Sequence, residues 1–452
     1  MSDIAFNNVA RNFKRDGQEF PALKEINLTV RDREFVAIVG PSGCGKTTCM
    51  RMAAGLEFPS GGTVSVGGRV VPAEGIARAL ELMQSGRLHR YGETAGRGSE
   101  TALLEEEFAA SVGAKYCVAM SSCGATLFAA LKALGVKPGD PVLSSAFTLA
   151  PVPGAIAHAN ARAVLVEMSD DCSIDLADLE RKAAVSGAKV LLLSHMRGHI
   201  SDLAAAAALC GRLGIALVED CAHTMGAHWD GRATGTYGAI GCFSAQTYKH
   251  INSGEGGLLV TDDEDIAAQV ILMSGSYMLY GQHLLRPADA VFERWRYTTP
   301  NFSLRMSTLA AALLRPQLAL LPQRAQQWNA LYAALVQALA GIAHLRVPPR
   351  APQEQFVASS IQFHLDLEAS ALQVFLAACA ARGLHIKWFG VAEPQGFTSH
   401  FEHWRYLEPA MLPHTSSRLR GLCDMRIPLS LTLDECALIG RIVQVAMAEA
   451  LT

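Results

Sequence analysis

The chain has 452 residues, of which half are hydrophobic and 18% are charged, and its formal net charge is −3. This length exceeds one ordinary hydrophobic core, so we expect two or three domains. The nearly balanced charge gives no electrostatic case for binding nucleic acid or an anionic membrane, and the apolar content excludes a disordered chain.

The sequence shows no sign of membrane insertion, export or metal binding. No apolar run reaches the roughly eighteen residues of a membrane span, and the opening stretch MSDIAFNNVARNF lacks the apolar core of a signal peptide. The eleven cysteines are scattered without a CxxC pair. We therefore expect a cytoplasmic protein with buried free thiols and no metal site.

Residues 1–72 form the first stretch, a predicted set of strands and turns around a glycine-rich loop. LKEINLTV has a strand pattern, and EFVAIVG is predicted as a buried strand that runs straight into GPSGCGKTT, Gly40 to Thr48. CMRMAAGLE then has helical spacing, and SGGTVSVGGRVV returns to turns and short strands.

The glycine-rich loop matches the phosphate-binding pattern G-x-x-x-x-G-K-[ST]. Backbone N–H groups around Gly45 can ring a phosphate, Lys46 can reach the outer phosphates, and Thr47 can hold Mg²⁺. Residues 1 to about 72 resemble the start of an ABC transporter ATPase, and Phe13 lies where that family stacks an aromatic ring on adenine.

The rest of an ATPase is not found in order along the chain. A glutamine loop, an LSGGQ signature, an apolar strand ending in Asp-Glu and a switch histidine should follow, and IALVED only imitates the acidic strand. Phosphoryl transfer depends on positioning by all these parts. We therefore favour a truncated remnant, with residual nucleotide binding as the alternative.

Residues 73–330 alternate between strand and helix patterns. Such alternation predicts an α/β domain whose mixed, mostly parallel sheet carries helices on both faces. Functional groups in these sheets gather at the carboxyl ends of the strands. The predicted strands are YCVAM, DPVLSS, ARAVLVE, KVLLLSH, IALVED and GGLLVTD.

A long helical stretch, STLAAALLRPQLALLPQRAQQWNALYAALVQALAGI, follows this domain. We expect Pro316 and Pro322 to break it and the stretch to link two lobes. Residues 331–452 are predicted to form a smaller α+β lobe, entered through the proline cluster VPPRAPQ.

Lys249 stands in the glycine-rich segment TYKHINSGEGG, between two strand-like runs. A partly buried lysine has a lowered pKa and can form a Schiff base with an aldehyde cofactor. Taken alone, it is better explained as a surface lysine on a loop.

Three other features, in order along the chain, suit pyridoxal phosphate (PLP). The start of a helix at Ser122 to Thr126 offers free N–H groups for a phosphate, and Phe147 follows a strand where its ring can stack on the cofactor. Asp220 ends an apolar strand and can pair with the pyridine nitrogen. Each has an ordinary structural explanation, but all four together rarely arise by chance.

On these motifs, residues from about 78 to 450 resemble the PLP-dependent sugar aminotransferases of the DegT/DnrJ/StrS type, which have the aspartate aminotransferase fold. The matching segments are YCVAMSSCGATLFAALKALG, VEDCAHTMGAHWDGRATGTYGAIGCFSAQTYKHINSGEGGLLVTDD, LRMSTLAAALLRPQL and RIPLSLTLDE.

The resemblance implies a role for each matching residue. Lys249 would hold the cofactor covalently and shuttle protons, and Asp220 would pair with the pyridinium nitrogen. His223 would lie against the cofactor, although a capping or core role is a serious rival. The other implied contacts are Phe147 for stacking, Ser122, Cys123, Gly124 and Ser244 for the phosphate, and Asn301 and Arg305 for the neighbouring subunit's cofactor.

The chain also departs from the family pattern. Cys123-Gly124 replaces the usual Gly-Thr of the phosphate turn, NFSLRMS replaces GYNYRMS, and SHMRGH replaces the more usual VHLYGQ. The family's RNHG after the lysine strand is absent, and SGSYMLYGQH stands in its place. These changes lie mainly around the expected substrate, so the resemblance supports PLP more firmly than a sugar substrate.

The resemblance implies amino-group transfer from a donor such as glutamate or glutamine to a keto or aldehyde acceptor, in a homodimer with shared active sites. Another PLP reaction, namely racemisation, elimination or dehydration of an amino acid, remains the alternative. An ATP-binding, transport-related subunit and a cofactor-binding regulator without turnover are further rivals.

Overall fold

The computed structural model describes residues 4–15, 18–30, 34, 36–40, 44–53, 59–66, 71–92, 98–394 and 400–452. The chain divides into two compact units, Met1–Ala77 with Pro428–Ser430 and Arg78–Ile427 with Leu431–Thr452. The boundaries that we expected at residues 72 and 330 stay predictions.

The first unit is built on a three-stranded antiparallel sheet with one helix. The sheet order is β2-β1-β3, and the apolar side chains of Phe6, Val9, Leu23, Cys49 and Met52 form its core. Its elements are β1 (Ile4–Arg15), β2 (Gln18–Val30), α1 (Lys46–Ala53) and β3 (Gly61–Val66).

The predicted strand before the glycine-rich loop is wrong for its described residues. Residues 36–40 have no regular secondary structure, and Val39 is 87% exposed. A buried strand needs partners for its backbone groups on both sides and cover for its apolar side chains. The described sheet of this unit consists of β1, β2 and β3, which do not pair with this segment.

A seven-stranded sheet forms the centre of the second unit, in the order β4-β12-β11-β8-β7-β5-β6. β12 runs antiparallel to both of its neighbours, and the other six strands share one direction. The predicted mixed, mostly parallel sheet is therefore confirmed. Its strands are β4 (Tyr116–Met120), β5 (Pro141–Ser145), β6 (Arg162–Val166), β7 (Val190–Ser194), β8 (Ala216–Asp220), β11 (Ile240–Ser244) and β12 (Gly257–Thr261).

Both faces of this sheet are buried, which explains why its strands are continuous apolar runs. In β4, Val118 and Met120 face one hydrophobic cluster with helices α4, α5, α8 and α9, whereas Cys117 and Ala119 face another with α3 and α10. Successive strand residues point to opposite faces. One helix, α2 (Ala73–Ser85), crosses the boundary between the two units. The other described helices of the second unit are α3 (Glu100–Val112), α4 (Cys123–Ala133), α5 (Pro151–His158), α6 (Leu176–Ser186), α7 (Leu203–Leu213), α8 (Glu264–Ser274), α9 (Asp289–Trp295), α10 (Thr308–Leu339), α11 (Ala369–Ala381), α12 (Pro413–Leu419) and α13 (Leu433–Ala450).

The predicted breaks in the long helix are wrong, because α10 runs through both Pro316 and Pro322. Each proline removes one backbone hydrogen bond. Packing compensates, since α10 lies against α3 and α13 and buries side chains along its length, among them Trp328 and Leu335.

The C-terminal part of the second unit combines strands and helices, and its separation as a small α+β lobe stays a prediction. It contains a four-stranded antiparallel sheet in the order β13-β15-β17-β16, and α11 packs against α13. A separate three-stranded sheet has the order β10-β9-β14. These strands are β9 (His228–Trp229), β10 (Arg232–Ala233), β13 (Leu345–Arg346), β14 (Glu354–Gln355), β15 (Ser360–Leu365), β16 (Lys387–Trp388) and β17 (Leu422–Arg426).

The eleven cysteines are free thiols. Ten are buried as expected, and Cys44 is exposed. Within the described part of the chain, no helix combines the length and apolar character needed to cross a membrane.

Candidate active site

The candidate site lies along one edge of the seven-stranded sheet. β4, β5, β7, β8 and β11 all end at this edge, and β12 begins there because it runs the other way. β8 and β11 are neighbours, with Asp220 opposite Cys242. The segment that joins β11 to β12 carries Lys249 past the carboxyl end of β8.

Backbone hydrogen bonds hold the lysine segment in a defined turn. The N–H of Lys249 donates to the carbonyl of Gln246 at 2.9 Å, and that of Thr247 donates to Gly254 at 3.0 Å. The side-chain amide of Gln317 on α10 both donates to and accepts from the backbone of Asn252, at 2.7 and 3.2 Å. Lys249 is half-buried, so it is not simply a lysine on a solvated loop.

The amine of Lys249 lies 2.9 Å from Nε2 of His223, which is itself buried. Burial lowers the pKa of Lys249 from 10.5 to about 7, although the charge of Asp220 opposes the shift. Burial also lowers the pKa of His223 well below its ordinary value, and the nearby charge of Lys249 lowers it further. Near neutral pH, much of the lysine is therefore a neutral amine, which is the nucleophilic form.

Asp220 presents a buried carboxylate at the end of β8. One oxygen accepts a hydrogen bond from the hydroxyl of Ser194 at 2.7 Å, and the other accepts from the N–H of Ala222 at 3.1 Å. The thiol of Cys123 lies 4.0 Å from this second oxygen. These bonds fix the direction of the carboxylate without occupying every acceptor position.

Ser122 caps the N-terminus of α4, accepting a hydrogen bond from the N–H of Ala125 at 3.1 Å. The first N–H groups of a helix, here those of Cys123 and Gly124, have no acceptor within the helix and carry its positive dipole end. β12 passes very close to this turn, because a Cβ on Gly257 would lie 2.3 Å from the carbonyl oxygen of Ser122.

The other expected residues are more widely distributed. Ser244 is buried at the end of β11. Phe147 follows β5 and packs edge-on against Phe389 in a hydrophobic cluster. Asn301 is exposed and accepts a hydrogen bond from the N–H of Ser303 at 2.8 Å, and Arg305 donates to the carbonyl of Gly275 at 3.0 Å.

Sequence reasoning missed several residues at this edge. Ser194 holds Asp220, Gln317 holds the lysine segment, and Arg426 donates to the carbonyl of Tyr248 at 3.1 Å. Ser194 ends an apolar strand, which is the signal that identified Asp220. Gln317 and Arg426 lie on distant elements and have no local signal.

A second cluster of potential ligand atoms lies behind the edge, formed by His195, Glu219 and Cys221. The Glu219 carboxylate accepts from the backbone N–H groups of Gly235, Tyr237 and Gly238 at 2.7 to 2.9 Å. Glu219 therefore anchors the turn between β10 and β11.

The described part of the glycine-rich loop in the first unit closes on itself. The amine of Lys46 donates to the carbonyl of Gly40 at 2.8 Å, and Thr47 is exposed. Gly45 has a left-handed backbone with φ of +92°, and a Cβ there would lie 2.5 Å from the carbonyl oxygen of Ala22. Residues 41–43 of the loop lie outside the described residues.

The fold is that of fold-type I PLP aminotransferases: a mixed, mostly parallel seven-stranded sheet surrounded by helices. A strand-end aspartate, Asp220, lies at its carboxyl edge, and the charge of this aspartate acts on Lys249 of the β11–β12 hairpin. The chain belongs to the DegT/DnrJ/EryC1/StrS aminotransferase family, whose model matches residues 73–444. A model of the ABC transporter family matches residues 23–91.

A relative with a curated name agrees with this family. A putative L-glutamine:3-amino-2,3-dideoxy-scyllo-inosose aminotransferase of Micromonospora echinospora is 34% identical over 269 residues, which is 58% of this chain and 61% of that protein. The chain thus matches about three fifths of that relative's length.

Two solved structures have the same fold over most of the chain. The aminotransferase TlmJ from Streptoalloteichus hindustanus has a TM-score of 0.72 at 23% identity and covers 84% of this chain and 98% of its own. DesV of S. venezuelae, solved in complex with a ketimine intermediate, has a TM-score of 0.70 at 25% identity. The match covers 82% of this chain and 94% of the DesV chain.

Proposed function

We propose that this chain is a PLP-dependent aminotransferase that moves an amino group from an amino acid, glutamine or glutamate, to a keto or aldehyde acceptor. The observation that carries the proposal is that Lys249 and Asp220 lie at the same sheet edge, where the charge of Asp220 acts on the amine. A half-buried amine with a pKa of about 7 there faces the field of a buried, fixed carboxylate.

The residues at the edge fit PLP. When bound, the cofactor supplies an aldehyde for the amine and a pyridinium ring that delocalises electrons from the substrate's Cα. Asp220 would hold the protonated ring nitrogen. The N–H groups of Cys123 and Gly124, at the positive end of α4, would hold the phosphate.

The proton steps fall to Lys249. Its amine, much of it neutral near pH 7, would accept the proton from the substrate's Cα and deliver it to the carbon on the other side of the transferred nitrogen. His223, 2.9 Å from the amine, orients it. Ser194 keeps the Asp220 carboxylate in place through a 2.7 Å hydrogen bond.

The decisive experiment is an absorbance spectrum of purified protein incubated with PLP, before and after borohydride reduction. We expect a visible-edge band that reduction abolishes, with the reduced cofactor on the peptide that contains Lys249. Adding glutamine or glutamate should then convert the unreduced protein to the pyridoxamine form.

That last step separates amino-group transfer from the alternative PLP reactions. A racemase, lyase or dehydratase acting on an amino acid should retain the band, because its cofactor returns to the aldehyde form in each turnover. Accumulation of pyridoxamine phosphate with the donor alone supports a transaminase, and its absence supports the alternative.

The first unit is proposed as a remnant without a part in this reaction. Lys46→Ala should leave the cofactor band and turnover unchanged, whereas Lys249→Ala should abolish both. Loss of activity in Lys46→Ala alone would instead support an ATP-dependent function.

We also propose a homodimer with shared sites. A surface cavity of about 220 Å³ is lined by Tyr91, Tyr277, Asn301, Ser303 and Arg305, and Tyr277 is 56% exposed. A partner could cover this face. If each site takes Lys249 from one subunit and Asn301 from the other, a hybrid of Lys249→Ala and Asn301→Ala subunits has one intact site. Mixing the two inactive variants should therefore restore activity. No recovery would contradict shared sites.

A further inference from the structure

A row of hydrogen-bonded side chains leads from the cavity of about 220 Å³ into the interior of the second unit. Tyr91 lines the cavity, and its phenol bonds to the hydroxyl of Ser276. That hydroxyl lies 3.0 Å from Nε2 of His283, and Nδ1 of His283 lies 3.0 Å from a carboxylate oxygen of Glu105. These four residues are 0 to 8% exposed, so they form a buried relay with one end at the cavity.

The relay is assembled from separate segments of the chain. Tyr91 lies between α2 and α3, and Glu105 lies on α3. Ser276 and His283 both come from SGSYMLYGQH, the segment that stands in place of the family's RNHG. The same segment supplies Tyr277 to the cavity wall. This departure from the family pattern therefore builds part of the cavity and the middle of the relay together.

The chemistry of the four groups sets the direction of their hydrogen bonds. An ionised carboxylate can only accept, so Nδ1 of His283 carries the proton that bonds to Glu105. Nε2 is then an acceptor and takes the single hydroxyl proton of Ser276. The oxygen of Ser276 accepts the phenolic proton of Tyr91 in turn. Tyr91 therefore offers only lone pairs to the cavity.

The charged groups around the relay are consistent with this direction. Nη2 of Arg90 lies 2.7 Å from both oxygens of Glu105 and 2.9 Å from Nδ1 of His283. The carboxylate is the stronger acceptor of the two, so the N–H groups of Arg90 are directed at Glu105. Two further cations act on the relay, Arg286 on His283 and Arg305 on Tyr91.

The protonation states of the relay suit uptake of a proton at the cavity end. Burial and the charge of Arg90 lower the pKa of His283 below its ordinary value, so its Nε2 is unprotonated at neutral pH. Burial raises the pKa of Tyr91, although the charges of Arg90 and Arg305 oppose the shift. Tyr91 therefore keeps its own proton until it receives another.

We propose that Tyr91 accepts a proton from a ligand in the cavity and that the relay carries a proton onward to His283. A weakly acidic hydroxyl of the ligand gives its proton to the oxygen of Tyr91. The phenolic proton of Tyr91 passes to Ser276, and the hydroxyl proton of Ser276 passes to Nε2 of His283. Glu105 stabilises the resulting imidazolium, and the oxyanion of the ligand remains in a cavity that Arg305 lines.

The ligand belongs to a particular chemical class. His283 is a weak base because its pKa is lowered, so the hydroxyl that gives up its proton is an acidic one, such as that of an enol or a phenol. The relay contains neither Lys249 nor Asp220. This proton transfer is therefore additional to the proposed aminotransferase reaction and requires no step of it.

Nitrogen NMR of the full-length, PLP-loaded protein with labelled histidines tests the direction of the relay. We expect His283 to carry its proton on Nδ1 at neutral pH, with the signal assigned by its loss in His283→Gln. A proton on Nε2 would reverse every hydrogen bond out to Tyr91 and would overturn the proposal.

Trifluorophenol is the probe for the proton transfer, because its fluorine NMR shift differs between the neutral and the ionised form. At a pH where the free phenol is neutral, we expect the protein to bind it as the anion. Ser276→Ala and Tyr91→Phe should each lower the ionisation equilibrium of the bound phenol about tenfold, the usual effect of losing one hydrogen bond. Tyr277→Ala, in the cavity wall, should weaken binding and leave the ionised fraction unchanged.

Ser201→Ala is the matched control for Ser276→Ala. Ser201 is 1% exposed, and its hydroxyl accepts from the N–H of Ile174 at 3.3 Å, so its loss should not alter the ionised fraction. Equal ionisation in the control, Ser276→Ala and Tyr91→Phe would assign the effect to the charge of Arg305 alone and overturn the relay. A phenol that stays neutral, or does not bind, would also overturn it.

Calorimetry in two buffers with different heats of ionisation follows the proton itself. If the relay keeps the proton of the phenol inside the protein, the heat of binding should be the same in both buffers. A heat that changes with the buffer would show that the proton is released to solvent, and it would contradict transfer to His283.

Discussion

The amine of Lys249 and Nε2 of His223 lie 2.9 Å apart, although they come from different connections of the sheet. His223 follows β8, and Lys249 lies between β11 and β12. Burial disfavours the charged form of both side chains. A neutral amine held by a neutral imidazole is ready to attack an aldehyde at pH 7 without prior loss of a proton.

Replacing Lys249 should remove covalent cofactor binding. Lys249→Ala has no amine to reach the aldehyde, so borohydride should fix no PLP to the protein and turnover should fall at least a thousandfold, in the range expected for loss of a covalent and acid–base group. Reduction followed by peptide mass analysis measures this. Lys189→Ala, at an exposed lysine, is the matched control, and undiminished labelling of Lys249→Ala would refute the assignment.

The pH dependence of Lys249 should reflect its lowered pKa. Only the neutral amine reacts with acetic anhydride, so labelling of the cofactor-free protein should rise with pH through about 7. Asp220→Asn removes the negative charge that raises this pKa, so the midpoint should move to lower pH. Competitive acetylation, with exposed Lys189 as the internal reference, measures both midpoints. A midpoint that moves to higher pH in Asp220→Asn would contradict the effect of the Asp220 charge on the pKa of Lys249.

The sequence predicted the sheet and part of the site for one physical reason. Strands buried on both faces are continuous apolar runs, and a polar residue that ends such a run falls at the functional edge. Asp220 and the helix start at Ser122 were recognisable in this way. The expected homodimer and the individual site roles stay predictions.

The missed features depend on contacts between distant parts of the chain. Gln317 meets Asn252, and Arg426 meets Tyr248, only after α10 and β17 have packed. Tertiary packing also explains the two wrong predictions. Packing keeps α10 continuous through its prolines, whereas residues 36–40 lie outside the described sheet of their unit and are irregular.

Gly257 should be essential for the close approach of β12 to the start of α4. Gly257→Ala would bring a Cβ to 2.3 Å from the Ser122 carbonyl oxygen. Overpacking of this kind typically lowers the free energy of unfolding by about 1–3 kcal/mol. Denaturant unfolding should show this loss, together with weaker PLP binding, because the phosphate turn must shift. Gly211→Ala on α7, where a Cβ meets nothing within 4 Å, should instead stabilise by about 0.5–1 kcal/mol.

The last prediction concerns a buried ion pair that anchors β4, the strand that precedes α4. The guanidinium of Arg90 contacts both carboxylate oxygens of Glu105 at 2.7 Å, and Glu105 also accepts from the N–H of Ala119 on β4. Burial alone would raise the pKa of Glu105, but Arg90 and His283 outweigh it and lower the pKa to about 2. The carboxylate therefore stabilises the fold above its unfolded pKa of about 4.3.

This stability should disappear as the pH falls from about 4.3 to about 2, where the folded protein also takes up the proton. The shift corresponds to roughly 3 kcal/mol at neutral pH. Glu105→Gln leaves Arg90 buried without its carboxylate, so denaturant unfolding at pH 7 should show a loss of about 3–5 kcal/mol. Glu449→Gln, in an exposed pair with Arg382, should cost no more than about 1 kcal/mol. If the two substitutions were equally costly, the Arg90–Glu105 pair would not be the anchor of β4.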